Sequence, residues 1–289
     1  MRIRIIDAFT DTAFAGNPAA VLLLPAGPWP SDRWLQQVAT EMNLSETAFA
    51  KPLNEELLNE EPLGEEPPNE DPDAWALRWL TPALEVDLCG HATLATVHLL
   101  HTTGALHGSS VRFESRSGTL RAEVAADGSI TLDFPANPPQ EVPVPEGLAE
   151  ILGAPIGAAH DTGALGDLLV ELADERTVRT LRPDQTRLRA LTGLRGVIVT
   201  AAPDGAAADY DFVSRWFGAG VDVGEDPVTG SAHTALAPLW AARLGRTELT
   251  GRQLSARGGS VLARLDGDRV LLTGRAVTVL DGELTSAAS

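Results

Sequence analysis

Leu88-Cys89-Gly90-His91-Ala92-Thr93 and Asp226-Pro227-Val228-Thr229-Gly230-Ser231-Ala232-His233 decide how this chain is read, because each ends a polar loop at a glycine and opens into an unusually apolar helix. The spacing predicts a first helix over 92–101 that stops at Gly104 and a second over 232–244 that stops at Gly245, each closed by the glycine that ends a helix without a Cβ penalty. The two starts lie 140 residues apart, from Gly90 to Gly230. Nearby landmarks keep a similar offset. Arg78-Trp79-Leu80 answers to Arg215-Trp216-Phe217, and Arg116-Ser117-Gly118 to Arg257-Gly258-Gly259. The pattern is that of a duplication. A helix with hardly a charge on any side needs a shell of other structure around it, so each half is expected to wrap strands around one central helix. The helix N-termini, with unpaired N–H groups and partial positive charge, are then candidates to hold an anionic substrate in a cleft between the halves.

Strand signals fill the space between these helices. Residues 111–114, 120–124 and 130–134 alternate apolar with polar, with Asp127-Gly128 as hairpin signal, and 261–265 and 269–273 repeat the strand, turn and strand around Asp266-Gly267-Asp268. Met1 to Phe9 reads as a strand, without the apolar run and cleavage site of a secretory signal. A peripheral helix is expected over 31–42 with Ser31 as cap, another over 148–152, and the Pro-rich run Phe134 to Pro139 is expected to connect the halves. The domains follow: 1–128, to which a strand within 269–289 returns, and 129–268.

Composition sets limits on function. The 289 residues suffice for two well-cored domains, and no stretch approaches the roughly 20 apolar residues needed to span a bilayer. A single cysteine, Cys89, forms no internal disulfide, which points to a reducing cytoplasm. The net charge of −18 argues against nucleic acid or an anionic membrane as partner. Nine of those acids lie in residues 54–73, a five-residue acidic repeat rich in proline. Residues 53–73 are therefore expected to be a disordered surface insertion that can be shortened at little cost to stability.

Four side chains stand out for chemistry. Glu46, in Asn43-Leu44-Ser45-Glu46-Thr47, sits between a helix end and an apolar strand, where it is either a loop acid capping a nearby N–H or an acid/base catalyst. His91 is a histidine at a helix start, satisfied or catalytic. Asp226 and Ser231 flank the second helix start as caps or as substrate contacts, and the Thr229-Gly230-Ser231 backbone and hydroxyls are candidate carboxylate donors, as is the N–H of Gly90. No nucleotide-binding glycine motif is present, and Lys51, the only lysine, has no Schiff-base context. His98 and His101 lie three apart on one helix without a recognisable third ligand, so no metal is expected.

Taken together, Ile6-Asp7-Ala8-Phe9 with Gly16-Asn17-Pro18, the Asn43 to Thr47 string, Cys89 to Thr93, and Glu225 to Ala232 resemble the PhzF family of phenazine biosynthesis proteins over essentially the whole chain. The resemblance implies an α+β, diaminopimelate epimerase-like fold of two pseudo-symmetric domains, no cofactor, and a homodimer acting on a small anionic metabolite. It further implies that Glu46 moves a proton between carbons of a small carboxylate, cyclic or amino-acid-like, assisted by His91, Asp226 and Ser231; Ser231 is also expected to bind substrate, and Gly90, Gly230, Thr229 and Ser45 are the further candidates for doing so. The acidic repeat and the Asp161 to Asp167 segment, which lacks an Asn-Pro-His after its glycine, depart from the family pattern and leave the substrate open. Related epimerases use one cysteine per half. Here only Cys89 exists, opposite the Pro227 segment, so the alternatives are a one-thiol epimerase or a metabolite-binding protein without catalysis.

Overall fold

The computed structural model describes residues 1–53, 73–205, 207–219 and 224–285. The chain divides into two compact units, one of Met1–Ala13, Pro18–Leu132 and Arg275–Ser289, the other of Phe14–Asn17 and Asp133–Gly274. The sequence boundaries at 128/129 and 268/269 thus fall a few residues short of the divisions at 132/133 and 274/275.

In the first unit, β1 (Arg2–Ala8) pairs antiparallel with the C-terminal β18 (Ala276–Glu283). Strand β2 (Asn17–Leu23) crosses over through α1 (Asp32–Met42) to the parallel β3 (Glu46–Pro52), which pairs antiparallel with β4 (Ala74–Leu80). Ser31 caps α1, accepting from the Trp34 N–H at 3.4 Å, and Asn43 ends it in the left-handed region at φ 50°. A short β5 (Glu85–Val86) folds back on β4, and the chain enters α2 (Gly90–Thr103). It emerges into β6 (Ser110–Ser115), parallel to β4, then β7 (Gly118–Val124) and β8 (Ile130–Pro135).

The second unit repeats these pairings. After β9 (Gln140–Val142), α3 (Leu148–Leu152) and β10 (Ala158–Asp161), β11 (Asp167–Glu171) passes through α4 (Glu175–Thr180) and α5 (Gln185–Arg189) to the parallel β12 (Gly196–Ala201). Strand β12 pairs antiparallel with β13 (Phe212–Gly218), on which β14 (Glu225–Asp226) folds back before α6 (Gly230–Leu244). Then come β15 (Glu248–Gln253), parallel to β13, β16 (Gly259–Asp266) and β17 (Arg269–Gly274). Even the ion pairs correspond: Arg78 grips Glu85 at 2.8 and 2.7 Å, and Arg215 grips Glu225 at 2.6 and 2.8 Å. The duplication read from the landmarks is a duplication of topology.

Helix α2 buries every residue from His91 to Val97 against β1, β3, β7 and β18, and α6 buries Ala232 to Ala237 against β15, β16 and β17. Each fully buried leucine there, such as Leu94, contributes roughly 1.5–3 kcal/mol of transfer free energy. Both helices begin two residues earlier than the apolar pattern indicates, because Gly90 and Gly230 are themselves helical and the preceding Cys89 and Thr229 take the extended N-cap conformation.

Two expectations are corrected. Asp73, assigned to the acidic insertion, is buried, and its carboxylate accepts the backbone N–H groups of His107 and Gly108, both at 2.8 Å, while the Leu53 N–H donates to Ala74 O at 2.9 Å. The rest of the repeat, 54–72, lies outside the described residues. The Phe134–Pro139 run is not a free connector. Its first two residues belong to β8, and Asn137 is tied to Thr234 by its backbone N–H at 3.0 Å and its side-chain amide at 2.9 Å. That carbonyl is available because Pro238 lacks the N–H that would reach it four residues on.

Candidate active site

In the first unit the start of β3 and the start of α2 bring three side chains together. Glu46 is the first residue of β3, held in register by its pairing with Ala19. Its Oε2 lies 3.2 Å from Nε2 of His91, the second residue of α2. The Cys89 Sγ lies beside the same ring, 3.5 Å from Nδ1 and 4.0 Å from Nε2. Burial pushes the His91 pKa down to about 3, so the ring is neutral at physiological pH and has one N–H to offer. Carboxylate, thiol and imidazole atoms lie within 4.8 Å of one another, a donor set of the kind that zinc accepts. The helical pair His98 and His101 forms no such set: His98 Nε2 instead meets Thr278 Oγ1 at 3.2 Å. Ser45 lies in the loop just before Glu46, half-buried, and Gly90 is the first residue of α2.

In the second unit the site gathers around the start of α6. Asp226 ends β14, and its carboxylate accepts Thr229 Oγ1–H at 2.6 Å and Asn17 Nδ2–H at 2.8 Å. The second Asn17 amide contact, 2.9 Å to Val228 O, fixes the donor direction. Burial raises the Asp226 pKa to about 6, opposed by those two donors and by the positive charge of Arg195. Gln253, wholly buried, reads the loop from below: its Oε1 accepts the Thr229 N–H at 2.8 Å and its Nε2 donates to Asp226 O at 2.8 Å. Ser231, the second residue of α6, accepts Arg195 Nη2–H at 3.1 Å.

The capping alternative for Asp226 and Ser231 is therefore corrected. The N-cap of α6 is Thr229, and no side chain caps the helix. Among the described residues no side chain caps the first turn of α6, nor that of α2, whose N-cap Cys89 makes no side-chain capping bond. By position relative to the helix, Thr229 and not Pro227 is the counterpart of Cys89, and it too carries no thiol. Asn17, Gln253, Arg195 and Asp167 escaped the reading of site residues. Asn17 stood inside the Gly-Asn-Pro string, but its pairing with a residue 209 positions away has no local trace.

The sequence profile of the phenazine biosynthesis-like (PhzC-PhzF) proteins matches residues 6–282. An uncharacterised isomerase of Pseudomonas aeruginosa is 45% identical over 279 residues, 96% of each chain. A crystal structure of a phenazine biosynthesis protein of the PhzF family from Enterococcus faecalis superposes with a TM-score of 0.86 at 38% identity, covering 99% of both chains. A probable proline racemase of Agrobacterium radiobacter shares the fold at a TM-score of 0.61 and 13% identity, covering 98% of this chain and 92% of its own. The α+β, epimerase-like architecture thus reaches well beyond close relatives. No helix among the described residues is long and apolar enough to cross a membrane.

Proposed function

Since the chain belongs to the phenazine biosynthesis-like PhzC-PhzF family and is an isomerase, we propose that it shifts a proton between carbons of a small carboxylated metabolite, cyclic or amino-acid-like, with Glu46 as the acid/base and no cofactor. The observation that carries this reading is the approach of Glu46 Oε2 to a neutral, buried imidazole at 3.2 Å. A neutral His91, with the Cys89 thiol beside its Nδ1 and the carboxylate 3.2 Å from its Nε2, sets a polar but uncharged ring next to Glu46 while Glu46 carries a proton. Asp226, with a pKa near 6, has both protonation states accessible near neutrality and serves a substrate heteroatom as hydrogen-bond donor or acceptor. Ser45 and the Gly90 N–H in the first unit, and Thr229, Ser231 and the Gly230 N–H in the second, are the proposed substrate-binding groups. A homodimer in the cytoplasm belongs to the same reading.

The test uses heavy water. The wild-type protein is incubated with a pool of small carboxylated metabolites, and carbon-bound deuterium or a new isomer is sought by NMR and mass spectrometry. Glu46→Gln preserves volume but cannot take the proton, so turnover is expected to fall by at least about 10²-fold, the usual contribution of a positioned base. Cys89→Ala is expected to alter stability more than rate. Normal turnover by Glu46→Gln with a dead Cys89→Ala replaces this reading with the one-thiol epimerase. Neither exchange nor a new isomer in any fraction counts against the proton shift proposed here.

A further inference from the structure

The geometry points to Arg195 as the residue that selects an anionic substrate, its guanidinium receiving the carboxylate beside Ser231. This rests on the reading of Ser231 and Asp226 as substrate contacts and adds a group that no sequence motif marks. Arg195 sits in the loop immediately before β12, its backbone N–H on Gly166 O at 2.8 Å and its own carbonyl accepting the Ala219 N–H at 3.0 Å. The side chain is fixed as firmly. Its Nε and Nη2 both bond Asp167, whose carboxylate is fully buried and also accepts Trp216 Nε1–H at 3.1 Å, while the guanidinium lies 5.4 Å over the Trp216 ring. Nη2 then reaches Ser231 Oγ at 3.1 Å. The Nη1 hydrogens make no hydrogen bond among the described residues, and the side chain remains 39% exposed.

Arg195 spends two nitrogens on a rigid anchor and leaves a third next to a hydroxyl and a helix start that no side chain caps. Its field also acts on the Asp226 carboxylate, which places the cation within electrostatic reach of the second predicted substrate contact. A guanidinium already oriented loses less freedom on binding a carboxylate than a mobile one. Such a local cation is needed, because a chain of net charge −18 repels anions at long range and screening confines that repulsion to about 8 Å only at physiological salt. Comparison of the two units sharpens the assignment. Ladder position makes Arg195-Gly196 the counterparts of Ser45-Glu46, since Ala19 pairs with Glu46 and Asp167 with Gly196 at the start of each parallel ladder. Where the first unit carries the base, the second carries the cation and its anchor. The Asp161 to Asp167 segment, which departs from the family pattern, is the segment that supplies that anchor.

Benzoate and its uncharged analogue benzamide are suitable probes, measured by calorimetry or ligand-detected NMR at neutral pH. The wild type is expected to bind benzoate at least about tenfold more tightly than benzamide, and Arg195→Gln to lose that preference, as expected for a charge-assisted bond. Arg195→Lys keeps a charge but not the anchored fork and is expected to lie between, which protects the test if the glutamine leaves Asp167 unpaired and the protein unfolds. With a substrate from the heavy-water screen, Arg195→Lys should raise KM at least threefold while kcat changes little. Equal benzoate affinity in wild type and a folded Arg195 variant, or no preference for benzoate in the wild type, overturns the assignment. Glu46→Gln separates this from the acid/base reading: it must keep benzoate binding, and its normal turnover would sink only the role of Glu46.

Discussion

At the scale of single residues, the site holds its groups in protonation states that cost stability. Asp226 has a folded pKa raised by burial to about 6 from its ordinary value of 3.8. Between those values the native state binds the proton and the unfolded chain does not, so this carboxyl favours folding at low pH and the advantage is lost as pH rises through about 6. Asp226→Asn is therefore expected to stabilise the protein above pH 6 by an amount on the order of 2 kcal/mol, with no gain near pH 4. The Thr229 hydroxyl can turn to accept from the amide. Urea titrations at both pH values decide it, and an equal change at both would mean that packing and not ionisation governs the site. Asp73 is the opposite case. Burial works against its charge, yet the His107 and Gly108 N–H donors hold its pKa below the usual range, so its contribution is present above about pH 4 and is lost on acidification. Asp73→Ala should cost roughly 2–4 kcal/mol at neutral pH, the loss of two charge-assisted bonds, measured as a shift in urea midpoint. Composition hid Asp73, because eight neighbouring acids make it look like one more solvated charge, whereas its partners lie 34 and 35 residues away.

Elements were far more legible than contacts. The helix α1 with its Ser31 cap, α3, and the strands around Asp127-Gly128 and Asp266-Gly267 follow from period and turn chemistry, which are local. The glycines at the starts of α2 and α6 misled by two residues because glycine reads as a loop residue, although in a first turn it costs little and lets a ligand approach the backbone. Strand β9 was missed for a different reason: three residues after a Pro-rich run carry no alternation, and its partner β10 lies further along the chain. Helix α6 shows how such an element is held. Pro238 frees the Thr234 carbonyl, and Asn137 answers it with its backbone N–H at 3.0 Å and the Thr234 hydroxyl with its amide at 2.9 Å. Asn137→Ala keeps the backbone bond and loses the other, so a loss of about 1 kcal/mol is expected in equilibrium unfolding. A loss near zero would mean that water replaces the amide.

Across the whole molecule, duplication explains the architecture and divergence explains the chemistry. Two units share parallel crossovers, a folded-back two-residue strand, an arginine–glutamate clasp and a buried helix, yet only the first carries a carboxylate at the head of its second crossover strand. The counterpart, Gly196, cannot carry any side chain: a Cβ there would lie 2.3 Å from the Trp216 ring, which is flat against the glycine and donates to Asp167. Thus the same tryptophan that excludes a base from the second unit helps to hold the anchor of Arg195. The sequence showed both copies through Arg78-Trp79 and Arg215-Trp216, but the ring that fills the place of a missing side chain is a matter of packing and leaves no pattern along the chain. Gly196→Ala should therefore be among the most disruptive single changes outside the two central helices, costing about 3 kcal/mol or more as the buried ring is displaced. Pairing it with Trp216→Leu opens the space at the expense of one hydrogen bond, so the double variant should be more stable than the sum of the two single changes by at least about 1 kcal/mol in urea unfolding. Simple additivity would show that Gly196 is required for another reason, and that the division of labour between the two units is not maintained by this contact.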